Sequence, residues 1–93
     1  MWYLRRVVGD SMKPSYKHGQ VVLVMMTREF RVGDVVVALQ GKREVLKRIV
    51  DMKDGNVFLE GDNKTASTDS RQHGWLSDRL IMAKVIFPKN KFK

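Results

Sequence analysis

Short runs of β-branched and aliphatic residues alternate along the chain with Gly, Asp, Asn and Pro, the pattern of an antiparallel meander or small barrel. The runs predict about six strands, at roughly Tyr3–Val8, Gln20–Met26, Asp34–Gln40, Glu44–Asp51, Asn56–Glu60 and Leu80–Phe87. No segment carries helical periodicity over a window of about 11 residues, so the expected fold class is all-β, a small, partly open antiparallel barrel or meander. Turns are marked by Gly33-Asp34, Gly41-Lys42 and Asp54-Gly55; the last is a strong hairpin signal between Ile49-Val50 and Val57-Phe58. The stretch from Gly61 to Ser77 carries no strand signal, and a loop of that length in so small a chain points to function. No internal repeat, low-complexity tract or linker interrupts the pattern.

Ninety-three residues suffice for one domain with one small core, and residues 1–93 are expected to form it. With 43% hydrophobic and 30% charged residues the chain has the composition of an ordinary globular protein. Cysteine is absent, which excludes disulfides, zinc–thiolate sites and thiol nucleophiles. The longest apolar run, Val21 to Met26, is far short of the roughly 20 residues of a membrane-spanning helix, and Met1–Val8 is too short and too charged for a signal peptide. A net charge of +8 favours polyanions or an anionic membrane surface. The basic residues are scattered, however, clustering only at Arg5-Arg6, Lys42-Arg43 and the tail Lys89-Asn90-Lys91-Phe92-Lys93.

The segment Val7-Val8-Gly9-Asp10-Ser11-Met12-Lys13-Pro14 ends a strand in Gly and presents a Ser at the start of a turn closed by Pro. That places a hydroxyl beside exposed backbone N–H groups, although a Ser-x-x-Pro turn is also common as plain structure. The usual base for serine is His, yet His18 and His73 both lie in polar, turn-like surroundings. Gly9-Asp10-Ser11-Met12-Lys13 does not fit the elbow of α/β hydrolases either. Two histidines without cysteine make a poor metal site, and no metal or organic cofactor is expected. Lysine can replace histidine when burial lowers its pKa. In Val45-Leu46-Lys47-Arg48-Ile49-Val50, alternation puts Val45, Lys47 and Ile49 on one face, so Lys47 is flanked by aliphatic side chains. Periodicity alone is equally compatible with an edge-strand lysine that snorkels to water.

Four boxes in order, Gly9-Asp10-Ser11-Met12-Lys13-Pro14, Lys47-Arg48, Gly61-Asp62-Asn63 and Ser67-Thr68-Asp69-Ser70-Arg71, resemble those of the signal peptidase I family: Ser-Met-x-Pro, Lys-Arg, Gly-Asp-Asn and Ser-x-Asp-Ser-Arg. Gly33-Asp34-Val35-Val36 resembles the family's Gly-Asp-x-Val turn and strand. The resemblance implies a serine endopeptidase with Ser11 as nucleophile and Lys47 as general base. By the same resemblance Ser67 orients the base and Asp69 and Arg71 form an ion pair holding the loop. Pro14, Arg48, Gly61, Asp62, Asn63 and Ser70 are then structural supports.

The Ser11 N–H is the expected oxyanion donor, with Gly9 where some relatives place a second, serine donor. An extended segment of a precursor protein is expected to pair as an extra strand along Val7, Val8, Asp10 and Met12 on one side and Val45 and Leu46 on the other. Such enzymes favour small side chains, commonly Ala, at the residue before the cut and two before that. Relatives normally carry a transmembrane helix ahead of the serine box, and here ten residues precede Ser11. The expectation is either a trimmed membrane enzyme acting on the extracytoplasmic face or a soluble, cytoplasmic short form resembling the maturation peptidases of nickel superoxide dismutase precursors. The self-cleaving SOS-response repressors share the dyad, but the sequence has no Ala-Gly cleavage site. The expected activity is removal of a leader, signal or propeptide after a small residue, by a monomer with at most weak contact to anionic membranes. Two alternatives are a basic β-barrel binding nucleic acid through Trp2, Tyr3 and Phe30, and an inactive relative that serves as a binding module. No specific nucleic-acid partner is expected.

Overall fold

The computed structural model describes residues 1–89; Asn90 to Lys93 of the basic tail lie outside the described residues. Seven strands form one antiparallel sheet: β1 (Trp2–Arg6), β2 (Val21–Met25), β3 (Val35–Gln40), β4 (Arg43–Lys53), β5 (Asn56–Glu60), β6 (Leu76–Ser77) and β7 (Ile81–Phe87). The spatial order is β1-β2-β7-β3-β4-β5-β6. The chain is therefore all-β and partly open as the sequence indicates, but β7 returns between β2 and β3, a long-range pairing that no local pattern encodes. The β4–β5 hairpin turns at Asp54-Gly55, where both residues have positive φ, 51° and 80°. This is what a two-residue turn matched to right-handed strand twist demands.

β3 carries the apolar run Val35-Val36-Val37-Ala38 because it is buried on both faces. Val35 and Val37 join Val7, Met12, Tyr16, Val22, Val24, Ala83 and Val85 in one core. Val36 and Ala38 join Ile49, Val57, Leu59 and Ile81 in a second core. Tyr3 and Leu46 pack against the first core, and Phe30, Val45 and Leu76 against the second.

Two expectations about the Gly61–Ser77 segment are corrected. It contains a one-turn helix, α1 (Ser70–His73), and the short strand β6. The helix is too short for periodicity to reveal. It is held by a capping box in which Asp69 accepts from the Arg71 N–H and the Gln72 side chain accepts from the Asp69 N–H. β6 pairs with β5, and Trp75 meets Phe58 edge-on at 5.3 Å. Leu80, expected to start the last strand, belongs instead to a single 3-10 turn, Asp78–Leu80, capped by Ser77. Among the described residues no helix is long and apolar enough to cross a membrane.

Candidate active site

β4 changes partners along its length, and this places the site. Arg43 to Arg48 pair with β3, whereas Arg48 to Lys53 pair with β5, with a register shift between Ile49 and Asp51. On its other side the stretch from Arg43 to Lys47 has no strand partner among the described residues. Among the described residues β1 pairs with β2 alone, so its outer edge is also free of them. Between these two edges lies a cleft of about 850 Å³. Its lining includes Val7, Val8, Gly9, Asp10, Ser11 and Met12 from one side and Val45, Leu46 and Lys47 from the other. The cleft thus brings together the residues that the sequence assigns to nucleophile, base and peptide contact. Met12 and Val7 are buried in the first core, while Val8 is exposed.

Lys47 is only 5% exposed. Its Nζ donates to Ser67 Oγ at 2.7 Å, and Ser67 Oγ donates to Asp69 Oδ2 at 2.7 Å. A hydroxyl has one proton; Ser67 gives it to the carboxylate and must accept from the lysine. A neutral Lys47 would then keep its lone pair free for another donor. Burial lowers the Lys47 pKa below its ordinary value, and the positive charges of Arg71 and Arg43 lower it further against the opposing pull of Asp69.

Asp69 is fully buried and anchors the loop. It accepts from Gly61 N–H at 2.8 Å and from Arg71 Nε and NH2 at 3.0 and 2.9 Å. Burial alone would raise its pKa; the Arg71 guanidinium, the Ser67 hydroxyl and two backbone N–H groups together hold it well below the usual carboxylate range. Ser70, the next residue, accepts the Leu59 N–H.

A second set of contacts ties the Ser11 turn to the end of β5. Asn63 donates its N–H to the Ser11 carbonyl at 2.8 Å and its Nδ2 to the Asp10 carbonyl at 3.0 Å. Arg48 grips Asp62 through two bonds, at 2.9 and 2.8 Å, and reaches the Gly33 carbonyl. Ser15 donates to the same Asp62. Gly61 lies between the two halves of the site. A Cβ there would stand 2.6 Å from the Ser11 carbonyl oxygen and overlap the Ser67 hydroxyl, so the close approach of serine turn and lysine partner requires glycine. Pro14 lies in the turn following Ser11.

Sequence reasoning overlooked several of these features. His18 is exposed, as expected, but its Nδ1 accepts the Gly9 N–H at 2.7 Å. The Ser11 N–H donates to no protein acceptor among the described residues. His73 lies at the rim of the cleft. The Asp69-x-x-Gln72 spacing was a readable capping signal, whereas nothing in the sequence marks His18 or Ser15 as partners of Gly9 and Asp62. Tyr3 and Phe30 pack against different cores, and Trp2 is exposed. No group of three or more potential metal ligands occurs among the described residues.

Comparison with curated protein sequences finds no match. A family model described as Peptidase S24-like matches residues 1–86, which spans β1 to β6, all of β7 but Phe87, the cleft and the Lys47–Ser67–Asp69 chain. The protein belongs to the Peptidase S24-like family, in keeping with the ordered sequence boxes, and its function is of the peptidase type.

Proposed function

We propose that the protein is a serine endopeptidase using a Ser11–Lys47 dyad to remove a leader or propeptide from a precursor, cutting after a small residue. The observation that carries this reading is the buried Lys47–Ser67–Asp69 hydrogen-bond chain opening on the cleft that Ser11 also lines. In the proposed mechanism neutral Lys47 takes the Ser11 proton as Oγ attacks the scissile carbonyl. The Ser11 N–H stabilises the resulting oxyanion, a contribution of about 3 kcal/mol for one donor. Lys47 then passes the proton to the leaving amine, and afterwards activates the water that releases the acyl group.

Substrate enters as a strand. Successive antiparallel pairings from β1 through β2, β7 and β3 to β4 leave β1 and β4 running in the same direction. A peptide laid between their free edges can pair with both and close the barrel. The residues before the cut lie in this cleft.

Mass spectrometry of mixtures with candidate leader peptides tests the proposal. Cleavage after a small residue is expected from the wild-type protein and none from Ser11→Ala or Lys47→Ala. Cleavage surviving in either variant would overturn the dyad.

A further inference from the structure

The two edges of the cleft are bridged at some distance from Lys47. Arg5 Nε on β1 donates to Glu44 Oε1 on β4 at 2.6 Å, and the Arg5 guanidinium lies 4.6 Å from the centre of the Tyr3 ring. Strand alternation puts Tyr3, Arg5 and Val7 on one face of the β1 segment, and Glu44 with Leu46 on one face of β4. Tyr3, Val7 and Leu46 all belong to or pack against the first core. The ion pair therefore stands two residues further along the cleft than the apolar floor formed by Val7 and Leu46, next to Lys47. A peptide strand repeats its side-chain direction every two residues. If one side chain lies over the floor, the next on that side meets Arg5 and Glu44.

Charge decides what that side chain is. Lys42 and Arg43 line the same end of the cleft, Arg43 from the face of β4 that carries Val45 and Lys47, and neither makes an ion pair among the described residues. Both carboxylates of the cleft are engaged, Glu44 with Arg5 and Asp10 with Lys13 at 3.4 Å. An incoming carboxylate meets Arg5 with the unpaired Lys42 nearby; an incoming ammonium meets Arg5, Lys42 and a carboxylate already paired.

We infer that this end of the cleft is a subsite for an acidic side chain, two residues before the residue at the cut. Arg5 reads it, and Glu44 positions Arg5 across the cleft. This replaces the small side chain that the family resemblance implies at that position. It rests on the peptidase reading for the placement of the peptide.

Binding to the Ser11→Ala protein tests it without requiring cleavage. Three fluorescent nine-residue alanine-based peptides, differing only in Asp, Ala or Lys at that position, are compared by anisotropy. The Asp peptide should bind about fivefold more tightly than the Ala peptide at low salt, as for a partly exposed ion pair, and the Lys peptide more weakly than either. The gap should narrow in high salt. Adding Arg5→Glu should reverse the order of Asp and Lys, and Glu44→Gln, which frees Arg5, should widen the Asp preference. Equal affinities for the three peptides, no saturable binding of any, or an order unchanged by Arg5→Glu would overturn the subsite. A wild-type protein that binds the Asp peptide but cleaves nothing would instead overturn the peptidase reading and leave the subsite standing.

Discussion

At the scale of single residues, Lys47 is held in a state that suits a base and disfavours the fold. Because burial lowers its pKa in the folded chain, the unfolded chain binds a proton there that the folded chain does not, across the window between the lowered value and about 10.4. Stability therefore rises with pH through that window. Lys47→Met should abolish cleavage yet stabilise the protein by about 1 kcal/mol at neutral pH, as often happens when a buried charge is replaced by an apolar side chain of similar length; thermal melting checks it, and a clear loss of stability would contradict it. Asp69 has the opposite sign. Its lowered pKa contributes stability that is fully present above about pH 4 and is lost as pH falls further. Asp69→Asn should cost about 2 kcal/mol and, by removing the charge that raises the Lys47 pKa, move the acidic limb of the rate profile to lower pH. Ser67→Ala should keep the fold and lower turnover, since Lys47 then loses its fixed acceptor. Lys47 stood out because alternation sets it between Val45 and Ile49 on one face, whereas Ser11 and Ser67 were singled out by the resemblance of their sequence boxes; the structure puts Ser67 Oγ 2.7 Å from Lys47 Nζ. His18 was not legible, because a side chain that supports a backbone N–H across a turn leaves no periodic or compositional trace.

At the scale of elements, the site depends on β4 leaving one ladder and joining another. The register shift after Ile49 lets Arg43–Lys47 keep a free edge while the rest of the strand pairs with β5. The alternation of Val45, Lys47 and Ile49 was readable; the change of partner was not, since it depends on where β5 ends and on β7 inserting beside β3. The helix at Ser70–His73 escaped for a different reason. Its hydrogen bonds come from Asp69 and Gln72 at its own start, so it needs no amphipathic face. At the end of β5, Gly61→Ala should both destabilise the protein and slow it, by about 1–3 kcal/mol, because the added methyl must push apart the Ser67 hydroxyl and the Ser11 carbonyl. Near-wild-type melting with unchanged kinetics would show that the two halves of the site are not packed as described.

At the scale of the molecule, the outer side of β1 presents apolar groups beside positive charge. Trp2 is 64% and Leu4 62% exposed, with Met1 and Phe87 also exposed. Aromatic and aliphatic groups that share a face of β1 with Arg6 suit a lipid interface. Each basic residue near an anionic surface contributes about 1 kcal/mol, which predicts weak, salt-reversible binding to anionic vesicles and none to neutral ones. Co-sedimentation checks it, and absence of binding to both would favour a protein that meets its substrate away from membranes. The all-β class and most strand positions were legible because local alternation and turn residues specify them. The two separate cores were not, because a strand buried on both faces reads only as a continuous apolar run.

The central claim is that Ser11, activated by Lys47, forms a covalent acyl intermediate. Intact-protein mass spectrometry after acid quenching of a reaction with a peptide ester that carries a small residue at the cut tests it most directly. The account predicts an acyl adduct on the wild-type chain that maps to Ser11, accumulates faster as pH rises through the lowered Lys47 pKa, and is missing from Ser11→Ala and Lys47→Ala. An adduct on another residue, or one formed equally well without Ser11 or Lys47, would contradict it.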